Sequence, residues 1–344
     1  MDYAPAADTP MARPSVPPAH RSAAIANAGR CVVVQAGRNS FPDMTAFLAE
    51  HFGWDVLQLV DYDGHVGQNK WTHLRGLARQ TLQLLGSLRR FRDADCVVTI
   101  GPVTHGHLLK LLRRLRLVRT RRSVSIGLYI HSPRFFPLFH WLSRLDGPDD
   151  HYVLFSEWEI ELYAKHFGID RARLHWLPYG EWGSSAALGE AALPADLPAG
   201  SYYFAGGYSN REYPPLIEAF RGMPAARLVI ICSAINTELD GIDLPANVTV
   251  LRDVPSAVFD AYVRHAKPIV ATDFGGVRSY VVDGVSGYLA TDMGRELPGI
   301  VGDIERDPAA AARLGDAARL RYLAHFSPEA GRAALARVLS SLVA

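Results

Sequence analysis

Cysteine is scarce in this sequence: three in 344 residues, Cys31, Cys96 and Cys232, far apart and each beside an apolar run. That spacing excludes a disulfide framework and a cysteine metal cluster, and it reads as buried, reduced thiols in a reducing cytosol. No apolar run approaches the ~20 residues that span a bilayer, and the first residues lack the basic-then-apolar layout of a secretion signal, so no membrane-spanning segment is expected. There is no internal repeat, no GxGxxG and no Walker loop. Carboxylates, histidines and cysteines nowhere recur at ligand spacing, so no metal is expected.

Hydrophobic residues make up 49% of the chain. That is enough for a large core, and the length suits two domains better than one. The formal charge is +1, but residues 1–180 carry 22 Lys/Arg against 16 Asp/Glu and residues 181–344 carry 14 against 19. The two halves therefore have different electrostatic roles.

From Arg30 onward short β-rich runs alternate with helical stretches, the pattern of parallel sheets covered by helices. Strands are expected at 31–37, 54–60, 95–101 and 123–130, with helices at 43–52, 71–92 and 104–118 between them. A second alternation follows: strands at 201–207, 227–233 and 248–254, helices at 212–222 and 256–266, then the strand 268–272. Helices at 308–325 and 328–343 close the chain. This divides it into a proline- and alanine-rich mobile tail (1–29), an α/β domain (30–180), a linker (181–200), a second α/β domain (201–326) and a C-terminal helix (327–344).

In open parallel sheets, ligands bind where strands end and helices begin, and backbone amides at helix starts favour anions. Two glycine pairs stand at such places. Gly206-Gly207 follows a strand and precedes Arg211, and Gly275-Gly276 follows Asp273 and precedes a helix at Val277. Without a Cβ, glycine lets a phosphate or sugar approach the backbone. Arg211 could chelate a diphosphate or be a solvated charge, each glycine pair could equally be a plain strand-to-helix turn, and Asp273 could meet a ligand or cap the next helix.

Four stretches carry a family likeness: "FAGGYSNREYPPLIEAF" (204–220), "KPIVATDFGGVRSYVVDGVSGYL" (267–289), "SEWEIELYAKHFGIDRARLHWLPYG" (156–180) and "LYIHSP" (128–133). They resemble segments of the retaining GT-B glycosyltransferases, which use nucleotide sugars. The resemblance covers roughly residues 30–340 and implies two Rossmann-like domains facing each other across a cleft. It further implies a donor held mainly by the second domain, through Gly206, Gly207, Asp273, Gly275 and Gly276, and an acceptor held by the first. Arg211 would stabilise charge on the leaving diphosphate. Gly37 and Arg38, in the loop after the first strand, would lie near the same phosphates, and His131 would contact the transferred sugar.

One part departs from the family pattern. Members carry a further strand and a helix with two glutamates just ahead of the KPIVAT strand, whereas here 254–266 runs directly into Lys267, and Asp260 is the nearest carboxylate on that stretch. Three function classes follow. The first is retaining transfer to a polysaccharide or lipid-linked acceptor. The second is an impaired relative that only binds a nucleotide or a partner protein, and the third a sugar-nucleotide epimerase.

The basic stretch 108–122 bears on the acceptor. No acid lies between Asp95 and Asp146, while Lys110, Arg113, Arg114, Arg116, Arg119, Arg121 and Arg122 surround six leucines. The stretch suits an anionic membrane surface or a lipid-diphosphate acceptor, and equally a buried helix with a solvated basic edge. No aromatic platform or recognition motif points to nucleic acid. The expected place of work is the cytoplasm, peripheral to the inner face of the membrane.

Overall fold

A computed structural model describes residues 30–36, 42–60, 70–101, 103–128, 130–178, 202–206, 213–234, 236–254, 268–273 and 276–343. The expected tail, the linker, the helix 256–266, Asp260 and the residues Gly37, Arg38, Gly207, Arg211 and Gly275 lie outside these.

The first half is a six-stranded parallel sheet in the order β2-β1-β3-β4-β5-β6. Its strands are β1 (Cys31–Ala36), β2 (Asp55–Leu59), β3 (Cys96–Ile100), β4 (Arg122–Ile126), β5 (Asp150–Leu154) and β6 (Leu174–Trp176). The central strands are runs of Val and Ile because both of their faces are covered. On one face Val33, Val98, Val124 and Val153 meet α1 (Pro42–Phe52). On the other, Val32, Val34 and Val97 meet α2 (Lys70–Gly86) and α3 (Val103–Arg114). Farther along that second face, Tyr152 and Leu154 pack against α4 (Phe136–Leu142) and α5 (Glu157–Phe167). Right-handed crossovers require this split, since the chain steps one way from β1 to β2 and the other way thereafter.

The second half has a three-stranded parallel sheet of β7 (Tyr203–Gly206), β8 (Leu228–Cys232) and β9 (Val248–Arg252), and a parallel pair of β10 (Ile269–Thr272) and β11 (Gly287–Ala290). Two helices, α6 (Tyr213–Arg221) and α8 (Met293–Arg306), cover one shared core. Val270 of β10 packs on the same cluster as Tyr203 and Ala205 of β7. Between β10 and β11 lies a single helical turn, α7 (Val277–Tyr280). After α9 (Pro308–His325), α10 (Pro328–Val343) returns to the first half and buries Leu335, Leu339 and Leu342 beside α1.

Three elements end earlier than the sequence pattern implies. The strand expected at 123–130 stops at Ile126, because Gly127 adopts φ +69° and a Cβ there would lie 2.6 Å from the Phe155 ring. The helix expected to reach 118 stops at Arg114: Arg116 takes φ +62° and the Leu117 amide donates back to the Leu112 carbonyl at 2.9 Å. That is a Schellman closure with arginine where glycine is usual. Likewise α2 ends at Gly86, and residues 88–91 form a separate 3-10 turn.

The basic stretch 108–122 is only partly a surface. Lys110 is 1% exposed, its Nζ 2.9 Å from both Asp146 Oδ1 and the Tyr152 hydroxyl, and Arg173 Nη2 closes the group 2.6 Å from Asp146 Oδ2. Arg113 grips the buried Asp150 with both guanidinium nitrogens, Nη1 to Oδ1 at 2.8 Å, while Ser123 Oγ and the Gly147 amide donate to the same carboxylate. Lys110 and Arg113 are thus internal ion partners, and the outer basic edge belongs to Arg114, Arg116, Arg119 and Arg121.

Candidate functional site

The first turn of α5 organises the site. Ser156 is its N-cap, and Glu159 three residues later completes a capping box. Glu159 Oε2 accepts from the amides of Phe155 and Ser156, each at 3.1 Å, which locks a carboxylate that is only 3% exposed. The other oxygen, Oε1, is 2.7 Å from His131 Nε2. With Glu159 acting as the acceptor, the ring hydrogen on that side sits on Nε2. His131 lies five residues past the end of β4, with its ring edge-on to Trp158 at 5.3 Å and its side chain 46% exposed. Burial on one side and a carboxylate clamp fix the imidazole while leaving part of it open to a ligand.

The second half of the chain meets this turn through Gly276. A Cβ on Gly276 would stand 2.3 Å from Ser156 Oγ and 2.8 Å from its Cβ, so only glycine allows the start of α7 to rest on the start of α5. Gly276 is the N-cap of α7 and makes no side-chain cap bond. His131 and Gly276 therefore converge on one helix N-terminus, from opposite halves of the chain. The dipole at such an end is positive, while the Phe155, Ser156 and Trp158 amides are already held by Glu159 and the Ser156 hydroxyl.

Asp273 is not the cap of the following helix. Its carboxylate is held by Arg278, Nε to Oδ1 at 2.7 Å with Nη2 on the other oxygen, and its amide donates to the Ala290 carbonyl at 2.8 Å. Gly206 ends β7, an edge strand of the three-stranded sheet. Among the described residues no group of three or more His, Cys, Asp or Glu could hold a metal ion, and no helix is long and apolar enough to cross a membrane.

Two features were missed by reasoning from sequence. Glu159 was never singled out, although S-x-x-E at 156–159 is the capping-box signature and would have marked a helix start. His105, in the first turn of α3, is 2% exposed with neither ring nitrogen hydrogen-bonded, and burial lowers its pKa so that it stays neutral. Nothing in a lone histidine's spacing announces that.

No sequence-family model and no curated relative matches the chain. Solved structures do. A glycosyltransferase from Rickettsia africae aligns with a TM-score of 0.65 at 10% identity, covering 91% of this chain and 99% of the other. Anabaena HepE in complex with UDP aligns at 0.64 and 13% identity, covering 91% and 100%. Sucrose-phosphate synthase from Thermosynechococcus elongatus aligns at 0.63 and 14% identity, covering 91% and 99%.

The chain has the GT-B fold.

Its two Rossmann-like halves follow that architecture, and the C-terminal helix packs on the first half. The turn shared by His131, Glu159, Ser156 and Gly276 is one place where the two halves of this GT-B fold touch.

Proposed function

We propose that the protein is a glycosyltransferase that moves a sugar from a nucleotide sugar to a glycan or lipid-linked acceptor, with retention of anomeric configuration. The observation that carries this reading is the Gly276–Ser156 contact. It sets a glycine-started turn of the second half against a carboxylate-clamped histidine of the first. HepE was solved with UDP and with UDP-glucose, which supports a uridine nucleotide as the first donor to try here.

In this reading His131 contacts the transferred sugar and Glu159 holds its ring in place. Gly206 leaves room for the donor to approach the backbone, together with Gly207 and Gly275, and Gly276 lets the start of α7 close against Ser156 beside it. Arg211, Gly37 and Arg38 meet the diphosphate, and Asp273 lies beside it, its carboxylate already held by Arg278. The leaving diphosphate takes the acceptor's proton, so the protein supplies charge stabilisation and closure rather than a strong base. No metal is assigned a role.

A second reading, an impaired relative that binds a nucleotide or a partner protein without transfer, draws on the sequence: no glutamate-bearing unit precedes the KPIVAT strand. The third is an epimerase. Incubation with a panel of UDP-sugars and glycan or polyprenyl-phosphate acceptors separates them. Released UDP with a lengthened acceptor of retained anomeric configuration supports transfer. Binding without turnover supports the second reading, and an altered sugar on an intact nucleotide supports the third. If transfer is seen, His131→Ala and Glu159→Gln should each lower kcat about 10²-fold, the latter through a misplaced ring.

A further inference from the structure

The helix α2 is turned inside out. At ~100° per residue, Trp71, Leu74, Ala78, Leu82 and Leu85 fall within an arc of about 80°, and every one of them is exposed, Trp71 at 67% and Leu82 at 68%. The side facing the sheet holds Gly76, Gln80 and Leu84. There Gln80 Nε2 donates to the Val60 carbonyl at 2.9 Å, and Gln83 brackets the end of β2 through the Val60 amide and the Gln58 carbonyl. The apolar stripe of an ordinary surface helix packs on the core, and contiguous exposed apolar patches mark interaction sites.

The stripe continues onto the neighbouring helices. The cores under α2, α3 and α4 lie on one face of the six-stranded sheet, opposite α1 and α10. The outer surfaces of α3, its closing turn and α4 add Leu111, Leu115, Leu138 at 56% and Trp141 at 58% exposed. Arg114 Nη1 donates to the Arg144 carbonyl at 3.0 Å, joining the end of α3 to the end of α4. Charge on this face is of one sign. Between Gly64 and Leu145 the sequence has fifteen Lys and Arg and only two acids, Asp93 and Asp95, both in the turn before β3. Arg75 and Arg79 flank the α2 stripe and are exposed. Of the next three carboxylates along the chain, Asp146 and Asp150 are turned inward by Lys110, Arg173 and Arg113, and Asp149 is exposed in the turn before β5.

From this we infer that the outer face of α2, α3 and α4 is a docking surface for an anionic lipid bilayer, with α2 lying in the headgroup plane. Charge complementarity selects the occupant. Tryptophan at two separate points, leucines between them and arginines alongside match a bilayer interface, where indole rings anchor and guanidinium groups stay among lipid phosphates. The inference is independent of the transferase reading, because lipid binding is read without turnover.

The test is flotation of the purified chain with vesicles of phosphatidylcholine alone or containing phosphatidylglycerol. The expected result is binding to the anionic vesicles, at least about tenfold weaker on the neutral ones, and weakened by salt. Trp71→Ser with Leu82→Ser, and separately Arg75→Glu with Arg79→Glu, should each weaken binding at least about tenfold. Leu320→Ser with Leu323→Ser, on the exposed side of α9, should not. All of these residues are exposed, so circular dichroism should stay unchanged. The proposal is overturned if the chain does not float with anionic vesicles, or if it floats equally after the α2 substitutions. It is also overturned if the stripe instead mediates self-association, seen as a dimer by light scattering that Leu82→Ser dissolves.

Discussion

The two halves hold their charges differently. In the first half, Lys110 and Asp146 are 1% and 2% exposed in their pair, and Asp150 is fully buried against Arg113. In the second half the pairs ride on the surface, as with Arg306 and Asp303 at 76% and 59% exposed. One sheet is continuous over six strands, while the other half shows three strands and a separate pair among the described residues. The contrast teaches where each half is intolerant of change. Buried charges in the first half must be matched atom by atom, whereas the second half depends more on backbone approach at its strand ends.

The sharpest way to break the contrast is Asp146→Ala. It strands Lys110 and Arg173 without their shared carboxylate, and it should cost about 3–5 kcal/mol of unfolding free energy in urea titrations. A smaller loss would mean that water reaches the group. Gly276→Ala comes next, at about 1–3 kcal/mol from the forced contact with Ser156. Combining it with Ser156→Gly should restore most of that loss, which a simple helix-start effect would not.

A third experiment uses pH. Burial alone would raise the Asp150 pKa, but the Arg113 guanidinium, Lys110 and the Gly147 amide outweigh it and hold the carboxyl below its ordinary value. A depressed native pKa adds stability that is complete above about pH 4 and is lost as pH falls through the native value. The urea midpoint should therefore fall below pH 4, and Asp150→Asn should flatten that fall while lowering stability at neutral pH. The smallest effect belongs to the second half: Arg306→Ala should leave the urea midpoint within measurement error, because an exposed i,i+3 pair contributes little.

Much of the architecture was legible in the sequence. The apolar, β-branched runs expected as strands at 31–37 and 227–233 form β1 and β8, and helices 308–325 and 328–343 sit where their periodicity put them. The helix end at Arg114 was hidden because its left-handed residue is Arg116 rather than glycine. Of the site, His131, Gly206, Asp273 and Gly276 were singled out, and His131 and Gly276 come together at the start of α5. Asp273 turned out to be held by Arg278 rather than capping a helix, since a bidentate partner five residues on outcompetes a cap. Glu159 went unnoticed although its capping-box spacing was readable.

What the sequence determined by itself is local: which runs are strands, where charge of one sign accumulates, and which turns contain glycine. These depend on neighbours along the chain, and their spacing is written in residue order. Only the tertiary structure decided that Lys110 faces inward while Leu82 faces water, and that Gly276 rests on a serine 120 residues earlier in the chain. Direction and contact across sequence distance depend on which side of a helix the sheet claims, and residue order alone does not encode that choice.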